Sequence, residues 1–295
     1  MTVLAAPYTL LRRDGEARVS RADPPRRPIE LPLAGAGGTS IATLERRGGL
    51  LRPEIARLIA ERSFAMAFQP VVRLTDRRVV SHEALLRLRP PPGAPAQPTR
   101  AFIDAAHGWD LGTALDEAAL DVALATWPRD AATPVSVNVS ARSLRDPLFF
   151  ARLLGRLTGE GASIAVEISG LTTHADLPAV VAVVLALNAA GVRVVLDDFN
   201  PAEAVLASVQ TARFDEVKLS GAVVGDAVAG ERGRKLLRAL VTLAEATGAR
   251  TVAKLIETEP QAALLRSLGV GYGQGWLFGA PSLLKPDRRK FERAA

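Results

Sequence analysis

Short apolar runs alternate along this chain with longer stretches in which apolar residues recur every three or four positions. The runs have the length of buried strands, and the longer stretches have the helical period. The predicted strands are 64–72, 79–89, 135–139, 164–168, 192–196, 214–219, 251–256 and a short strand near Tyr272. Strands that alternate with helices form mostly parallel sheets, and the length of the series favours closure into a (β/α) barrel of the α/β class.

The helical stretches complete this pattern. They are predicted at 101–127 with a break near Gly108, and at 146–157, 177–190, 232–248 and 260–268. A helix from Pro53 carries Ile55, Leu58 and Ile59 on one face, which would close the bottom of the barrel. Strands 64–72 and 79–89 are joined by a short turn at 75–78, which predicts a hairpin and therefore one antiparallel strand.

The first 40 residues lack a sustained helical or strand period. They are rich in arginine and contain Pro24, Pro25, Pro28 and Pro32. The pattern predicts a flexible arm at 1–40, a barrel domain at 41–288 and a basic tail at 289–295.

Six of the apolar runs end on an acid, an amide or an amine where a strand would give way to a loop, and one of them departs from the pattern in its charge. The residues are Glu83, Asn138, Glu167, Asp197 with Asp198, Lys218 and, as the deviant, Lys254. The carboxyl ends of barrel strands share one mouth, so these side chains are expected to meet there.

An oxygen-only cluster without His or Cys suits Mg²⁺, Mn²⁺ or Ca²⁺. Two such ions about 3.5 to 4 Å apart would support attack of water on a phosphodiester. Each acid alone also fits a solvated strand end, and Lys218 fits a surface pair with Asp215 or Glu216.

The net charge of +6 and the pI near 10.2 leave a small anionic ligand open. The basic residues are scattered and show no interleaving with aromatic residues, so nucleic acid is not expected as a partner. The absence of cysteine excludes disulfides and thiolate metal sites and agrees with a cytoplasmic location. No secretory signal is expected, and the longest apolar stretch, 177–190, is too short for membrane insertion.

Six motifs, in order and spacing, make the chain resemble the EAL domain family over residues 45–285. They are Phe68-Gln69-Pro70-Val71-Val72, Glu83-Ala84-Leu85-Leu86-Arg87, Val137-Asn138-Val139-Ser140, Asp197-Asp198-Phe199, Val217-Lys218-Leu219 and Gln274-Gly275. The resemblance implies a modified TIM (β/α)8 barrel that binds the second messenger cyclic di-GMP. Active members use two Mg²⁺ or Mn²⁺ ions to hydrolyse one phosphodiester, which gives linear pGpG.

The resemblance also implies roles for individual residues. The first metal would be held by Glu83, Asn138, Glu167 and Asp197, and the second by Asp197 and Asp198. Lys218 would contact the nucleophilic water and Glu257 would be a supporting acid. The nucleotide would be bound by Gln69, Arg87 and Gln274, where a guanidinium suits a phosphate or a guanine edge.

The chain departs from active members at Lys254, where they carry a glutamate assigned to metal binding or base catalysis. An ammonium group cannot ligate Mg²⁺ and at neutral pH an ordinary lysine is not a base. We hypothesise that Lys254 pairs with Asp197 or Asp198 at the second metal position. The alternative is that Lys254 turns to solvent and the site is simply broken.

Three further departures agree with loss of turnover. The second acid expected after Glu167 is Gly170, and the acid expected two positions after Lys218 is Ser220. The loop after the aspartate pair, normally glycine-rich, reads 199–204 as Phe-Asn-Pro-Ala-Glu-Ala, which favours an early helix start. Loss of a general base alone typically costs about 10² to 10⁴ in rate.

The sequence therefore predicts a degenerate EAL domain that is a non-catalytic cyclic di-GMP receptor acting through an unidentified protein partner. Mg²⁺ or Mn²⁺ would bind at the first position only, because the second site is lost. The alternatives are a phosphodiesterase with low residual activity and a protein-interaction scaffold that no longer binds nucleotide. Family members often dimerise through the loop altered here, so a homodimer stays open.

Overall fold

A computed structural model describes residues 8–13, 16–21, 51–89, 99–128, 131–159, 164–171 and 173–283. Contacts divide the chain into a unit of residues 1–48 and a unit of residues 49–295. In the first unit, β1 (Tyr8–Arg13) and β2 (Glu16–Arg21) form an antiparallel hairpin. No strand was expected here; the overlooked signal is the pair Asp14-Gly15, which favours a tight hairpin turn. The predicted boundaries at 40/41 and 288/289 lie outside the described residues.

The second unit is a closed eight-stranded barrel, which confirms the predicted fold class. Its strands are β3 (Phe64–Arg73), β4 (Val79–Leu88), β5 (Val135–Ser140), β6 (Ile164–Ser169), β7 (Arg193–Phe199), β8 (Glu216–Leu219), β9 (Arg250–Ala253) and β10 (Tyr272–Gln274). Their order around the barrel is β10-β3-β4-β5-β6-β7-β8-β9.

Nine helices are described in the barrel unit. They are α1 (Arg52–Ala60), α2 (Thr99–Gly108), α3 (Gly112–Thr126), α4 (Pro147–Gly159), α5 (Leu177–Ala189), α6 (Glu203–Thr211), α7 (Gly221–Ala229), α8 (Glu231–Ala246) and α9 (Glu259–Ser267). Within the described part of the chain, no helix combines the length and the apolarity that a membrane crossing requires.

Strand β3 is the antiparallel member that the predicted hairpin required. It pairs antiparallel with β4 on one side and with β10 on the other, whereas the remaining neighbours are parallel. The carboxyl ends of the other seven strands therefore open at one mouth. Side chains of successive strand residues alternate between the barrel interior and the surrounding helices.

The core lies between the strands and the helices. Fully buried aromatic side chains fill it, among them Phe102 of α2, Phe149 of α4 and Phe199 at the end of β7. The predicted apolar face of α1 is buried as expected at Ile55, Leu58 and Ile59. Burial of each such side chain stabilises the folded state by about 1.5 to 3 kcal/mol. Because this apolar core lies outside the strands, the interior of the barrel can carry polar groups.

Helix α7 was not predicted from the sequence. It is short, contains Gly221 and Gly225, and ends at Gly230, so its helical period is weak. Its start is fixed by Ser220, whose side chain accepts a hydrogen bond from the Val223 N–H at 3.3 Å. In the following helix α8, Leu237 and Leu240 are buried, whereas Leu236 is 37% exposed.

His82 links barrel stability to pH. Its imidazole is buried on the outer side of β4, 5.1 Å from the Trp127 ring, with Nδ1 3.2 Å from the Thr133 hydroxyl. Burial lowers the pKa of His82 to about 4, below the ordinary 6.5. Because the folded state resists protonation, stability is expected to fall as the pH drops from about 6.5 towards 4.

We predict that wild type loses about 1 to 2 kcal/mol more unfolding free energy between pH 7 and pH 5 than His82→Phe does. Urea denaturation at the two pH values measures this difference. Phenylalanine keeps a ring beside Trp127 and has no titrating group. Equal losses in the two proteins would show that His82 does not carry this pH dependence.

Candidate functional site

A buried lysine lies between acids from two other strands at the mouth of the barrel. The Lys218 ammonium of β8 is 2.7 Å from Glu83 Oε2 of β4 and 2.6 Å from Glu167 Oε2 of β6. Lys218 is 1% exposed and Glu167 is 0% exposed. The predicted alternative, a surface pair of Lys218 with Asp215 or Glu216, is therefore wrong, because Lys218 points into the barrel towards stronger partners.

Every described contact of Glu83 stabilises its charged form. Its Oε2 accepts hydrogen bonds from Lys218 and from Gln274 Nε2 at 2.8 Å, and its Oε1 accepts one from Asn138 Nδ2 at 2.9 Å. Burial is the largest influence on the pKa of Glu83 and opposes ionisation. The Lys218 charge and the three donors together outweigh it and lower the pKa to about 2.

Glu167 behaves in the opposite way. Its two oxygens accept from Lys218 at 2.7 and 2.6 Å, and Oε2 also accepts from the Ser136 hydroxyl at 2.6 Å. Burial, followed by repulsion from Glu83, raises the pKa of Glu167 to about 8 despite the Lys218 charge. The same ammonium group therefore stabilises the charged form of Glu83 more effectively than that of Glu167.

Ser136 was missed by the sequence analysis. It lies two residues before Asn138 on β5 and therefore faces the same side of the strand. Glu83 of β4 is its partner in the strand register. The alternation itself was the available signal, since any polar residue two positions from a site residue shares its face.

A chain of amides continues from Glu83 along the barrel wall. Gln274 Nε2 of β10 also donates to Gln69 Oε1 of β3 at 3.2 Å, and Gln69 Nε2 donates to the Gly279 carbonyl at 3.2 Å. Gln274 is 3% exposed, and its Oε1 has no hydrogen-bond partner among the described residues. A buried acceptor without a partner is costly, so it marks a place where a ligand donor would be favourable.

A β-bulge brings both aspartates of β7 to the mouth. Leu196 pairs with Val217 and Phe199 pairs with Leu219, so Asp197 and Asp198 together lie opposite the single residue Lys218. Such a bulge interrupts the regular alternation of side chains. Asp198 has a left-handed backbone with φ of 53°, which is uncommon for a residue other than glycine.

Lys254 occupies the space between these two aspartates. Its ammonium group donates to Asp197 Oδ1 and to Asp198 Oδ1, each at 2.6 Å. The hypothesis that Lys254 pairs with the aspartates is confirmed, and the alternative that it turns to solvent is wrong. Burial opposes the charge of Lys254, but Asp197 and then Asp198 outweigh it and raise the pKa of the amine above its ordinary value.

Two departures from the family pattern, the loop 199–204 and Gly170, have structural roles around the mouth. Asn200 donates to the Asp198 carbonyl at 2.6 Å and accepts from the Ala202 N–H at 2.8 Å, which closes a tight turn before α6 begins at Glu203. The predicted early helix start is confirmed. Gly170 has φ of 72°, a conformation in which glycine is favoured over an acid.

Two predicted site residues lie outside this network. The Glu257 side chain is exposed, and its described hydrogen bond is only from its backbone N–H to Gln261 Oε1 at 2.9 Å. Arg87 lies four residues beyond Glu83 on the same strand face and donates from Nη1 to the Leu86 carbonyl at 2.8 Å. Neither Arg87 nor Glu257 makes a described contact with the acids of the cluster.

The two metal positions implied by the resemblance differ in their fit to a cation. No three histidine or acidic side chains among the described residues surround a common point as metal ligands do. At the second position the residues do not fit, because the Lys254 ammonium holds an oxygen of both Asp197 and Asp198. At the first position Glu83, Asn138 and Glu167 carry oxygens of the kind that a hard cation prefers, and the Lys218 ammonium lies between the two glutamates.

The opposite end of the barrel is closed by a separate charged layer. Arg250 of β9 lies 3.5 Å from Glu216 Oε2 and over the Tyr272 ring. Beside them is a cavity of about 20 Å³, which is the size of one water molecule. A ligand larger than water therefore does not fit into the cavity at this end of the barrel.

Comparison with known proteins identifies the family. A model of the EAL domain matches residues 52–281. An uncharacterised protein of Mycobacterium tuberculosis H37Rv is 33% identical over 228 residues, which cover 73% of this chain and 74% of that protein. A cyclic di-GMP phosphodiesterase of Pseudomonas aeruginosa is 28% identical over 230 residues, covering 76% of this chain and 39% of the phosphodiesterase.

A solved structure supports the same fold. The FimX EAL domain of Pseudomonas aeruginosa, bound to cyclic di-GMP, superposes with a TM-score of 0.69 at 22% identity. The superposition covers 78% of this chain and 95% of that domain.

The buried cluster predicts a large cost for loss of Lys218. In Lys218→Met, Glu83 and Glu167 would lose their shared counter-ion, so the unfolding free energy should fall by about 3 to 5 kcal/mol. Urea denaturation measures the change, and Lys235→Met, at an exposed lysine of α8, is the control. A loss no larger than that of the control would contradict the described pairing.

Proposed function

The chain belongs to the EAL domain family, and we propose that it binds cyclic di-GMP without hydrolysing it and signals through a protein partner. Two features support this proposal: side chains suited to a nucleotide remain at the mouth, and the second cation position is filled by a lysine. The observation that carries the proposal is the double ion pair of Lys254 with Asp197 and Asp198.

Nucleotide binding is supported by three retained side chains. Gln69 and Gln274 form a connected amide pair, and Gln274 keeps an unpartnered buried oxygen that a guanine N–H would satisfy. Arg87 offers a guanidinium suited to a phosphate or a guanine edge. The likeness to proteins that bind or hydrolyse cyclic di-GMP points to the same ligand.

Hydrolysis is disfavoured by the arrangement of charge. A two-metal phosphodiesterase needs cations on both the attacking and the leaving oxygen. Asp197 and Asp198 are engaged by Lys254, whose ammonium group can neither bind a water molecule as a metal does nor accept its proton at neutral pH. Glu257, the supporting acid that the family position suggested, is exposed and apart from the cluster.

One divalent cation at the first position is compatible with the proposal. Glu83, Asn138, Glu167 and Asp197 would hold Mg²⁺ or Mn²⁺, which would supply positive charge to a ligand phosphate. Lys218 would then hold the acids in place beside the cation.

The two other functions rest on weaker observations. A residual phosphodiesterase would have to work with a single cation and without the missing glutamate. A scaffold that no longer binds nucleotide is favoured only by the altered loop 199–204, in which Asn200 closes a tight turn. The buried, unpartnered oxygen of Gln274 favours binding over this scaffold.

We predict that calorimetry with cyclic di-GMP in Mg²⁺ buffer gives a binding isotherm with a dissociation constant in the micromolar range or below. Gln274→Leu, which removes the amide, should weaken binding by about five- to thirtyfold, because one buried polar contact is worth about 1 to 2 kcal/mol. Gln210→Leu, at an exposed glutamine of α6, is the control. The absence of heat at high micromolar protein would leave the scaffold as the function.

The same samples, kept for hours with Mn²⁺, are expected to contain cyclic di-GMP and no pGpG above the buffer control. Nucleotide chromatography measures both compounds. Formation of pGpG that is abolished by Glu83→Ala would establish the residual phosphodiesterase and refute the proposed loss of hydrolysis.

A further inference from the structure

The Lys254 ammonium group has one N–H that its two aspartate partners do not use. A lysine carries three donors, and the described hydrogen bonds use one for Asp197 and one for Asp198. The Lys254 side chain is 20% exposed, so the remaining donor has access to the mouth. A fixed positive charge there favours an anionic group of a ligand.

The backbone is left-handed at a residue on each side of this ion pair. Asp198 has φ of 53° and Leu255, which follows Lys254, has φ of 61°. Left-handed conformations are strained for such residues and persist where surrounding contacts impose them. The double ion pair is such a contact, and it orients the lysine from β9 across to β7.

We propose that Lys254 is a ligand-binding residue whose ammonium group contacts a phosphate of the bound nucleotide, at the position where active relatives place a second cation. This inference rests on the proposed function, because it assumes that a phosphate-bearing ligand enters the mouth. It extends that function by naming a phosphate contact made by a residue that active members lack.

The alternative is that Lys254 only neutralises the two aspartates. Removing Lys254 alone would then weaken binding by exposing the ligand to Asp197 and Asp198, without any lost contact. A charge-conserving double variant separates the two roles. Lys254→Met/Asp198→Asn removes one positive and one negative charge, so the net charge of the site stays the same.

The experiment is calorimetry with cyclic di-GMP in EDTA and, separately, in Mg²⁺. Lys254→Met and Lys254→Met/Asp198→Asn are both expected to bind at least about tenfold more weakly than wild type in EDTA, because a charge-assisted hydrogen bond is lost. Lys254→Arg keeps a cationic donor and should stay within about threefold of wild type. Lys235→Met is the control for loss of an exposed lysine.

Lys254→Glu provides an independent readout. It is expected to bind weakly in EDTA and to recover in Mg²⁺, with a larger ratio between the two conditions than wild type shows. Wild-type affinity of the double variant in EDTA would overturn the contact and leave only neutralisation. Binding by wild type together with an unchanged Lys254→Met would overturn this inference alone, whereas no binding by wild type would refute the proposed function as well.

Discussion

Two ammonium groups hold the acidic side chains of three strands together at the mouth of the barrel. Lys218 joins Glu83 and Glu167 in the interior, and Lys254 joins Asp197 and Asp198 nearer the solvent. Acids this close to one another repel, and burying a charge without a partner costs several kcal/mol. These residues lie on β4, β6, β7 and β8 and directly after β9. The five strands are therefore held together by ion pairs as well as by backbone hydrogen bonds.

The two lysines differ in whether they keep an N–H donor for a ligand. Lys218 is fully buried and its described donors are used by acids, so its role is to hold the cluster. Lys254 lies at the rim and keeps one donor accessible. The β-bulge at Asp197 and Asp198 creates this difference, because it turns a second carboxylate towards the mouth where regular alternation would place it among the helices.

Much of this arrangement could be predicted from the sequence, because barrel strands place their last residues at one mouth. That rule located Glu83, Asn138, Glu167, Lys218 and the aspartate pair, and the unusual lysine suggested its own partners. The rule does not give distances across a barrel. The sequence therefore could not decide whether Lys218 pairs with the local acids or with acids of other strands. Glu257 shows the same limit, since its position after β9 leaves it exposed.

Other features depend on contacts that a one-dimensional pattern does not contain. Ser136 became part of the site only through its register with Glu83 and its bond to Glu167. Helix α7 is set by a serine cap and by packing on α8, where Gly233 lies against the Asp226 carbonyl so closely that a side chain would not fit. Glycine-rich segments of this kind have weak local preferences, and tertiary contacts decide their structure.

The central claim is that Lys254, and not a cation, lies between Asp197 and Asp198 when ligand is bound. Crystals grown with cyclic di-GMP and Mn²⁺ would test it directly through anomalous diffraction at the manganese edge. The account predicts no manganese peak between the two aspartates and a Lys254 ammonium in contact with a phosphate. A manganese ion bridging Asp197 and Asp198, with Lys254 turned away, would contradict it.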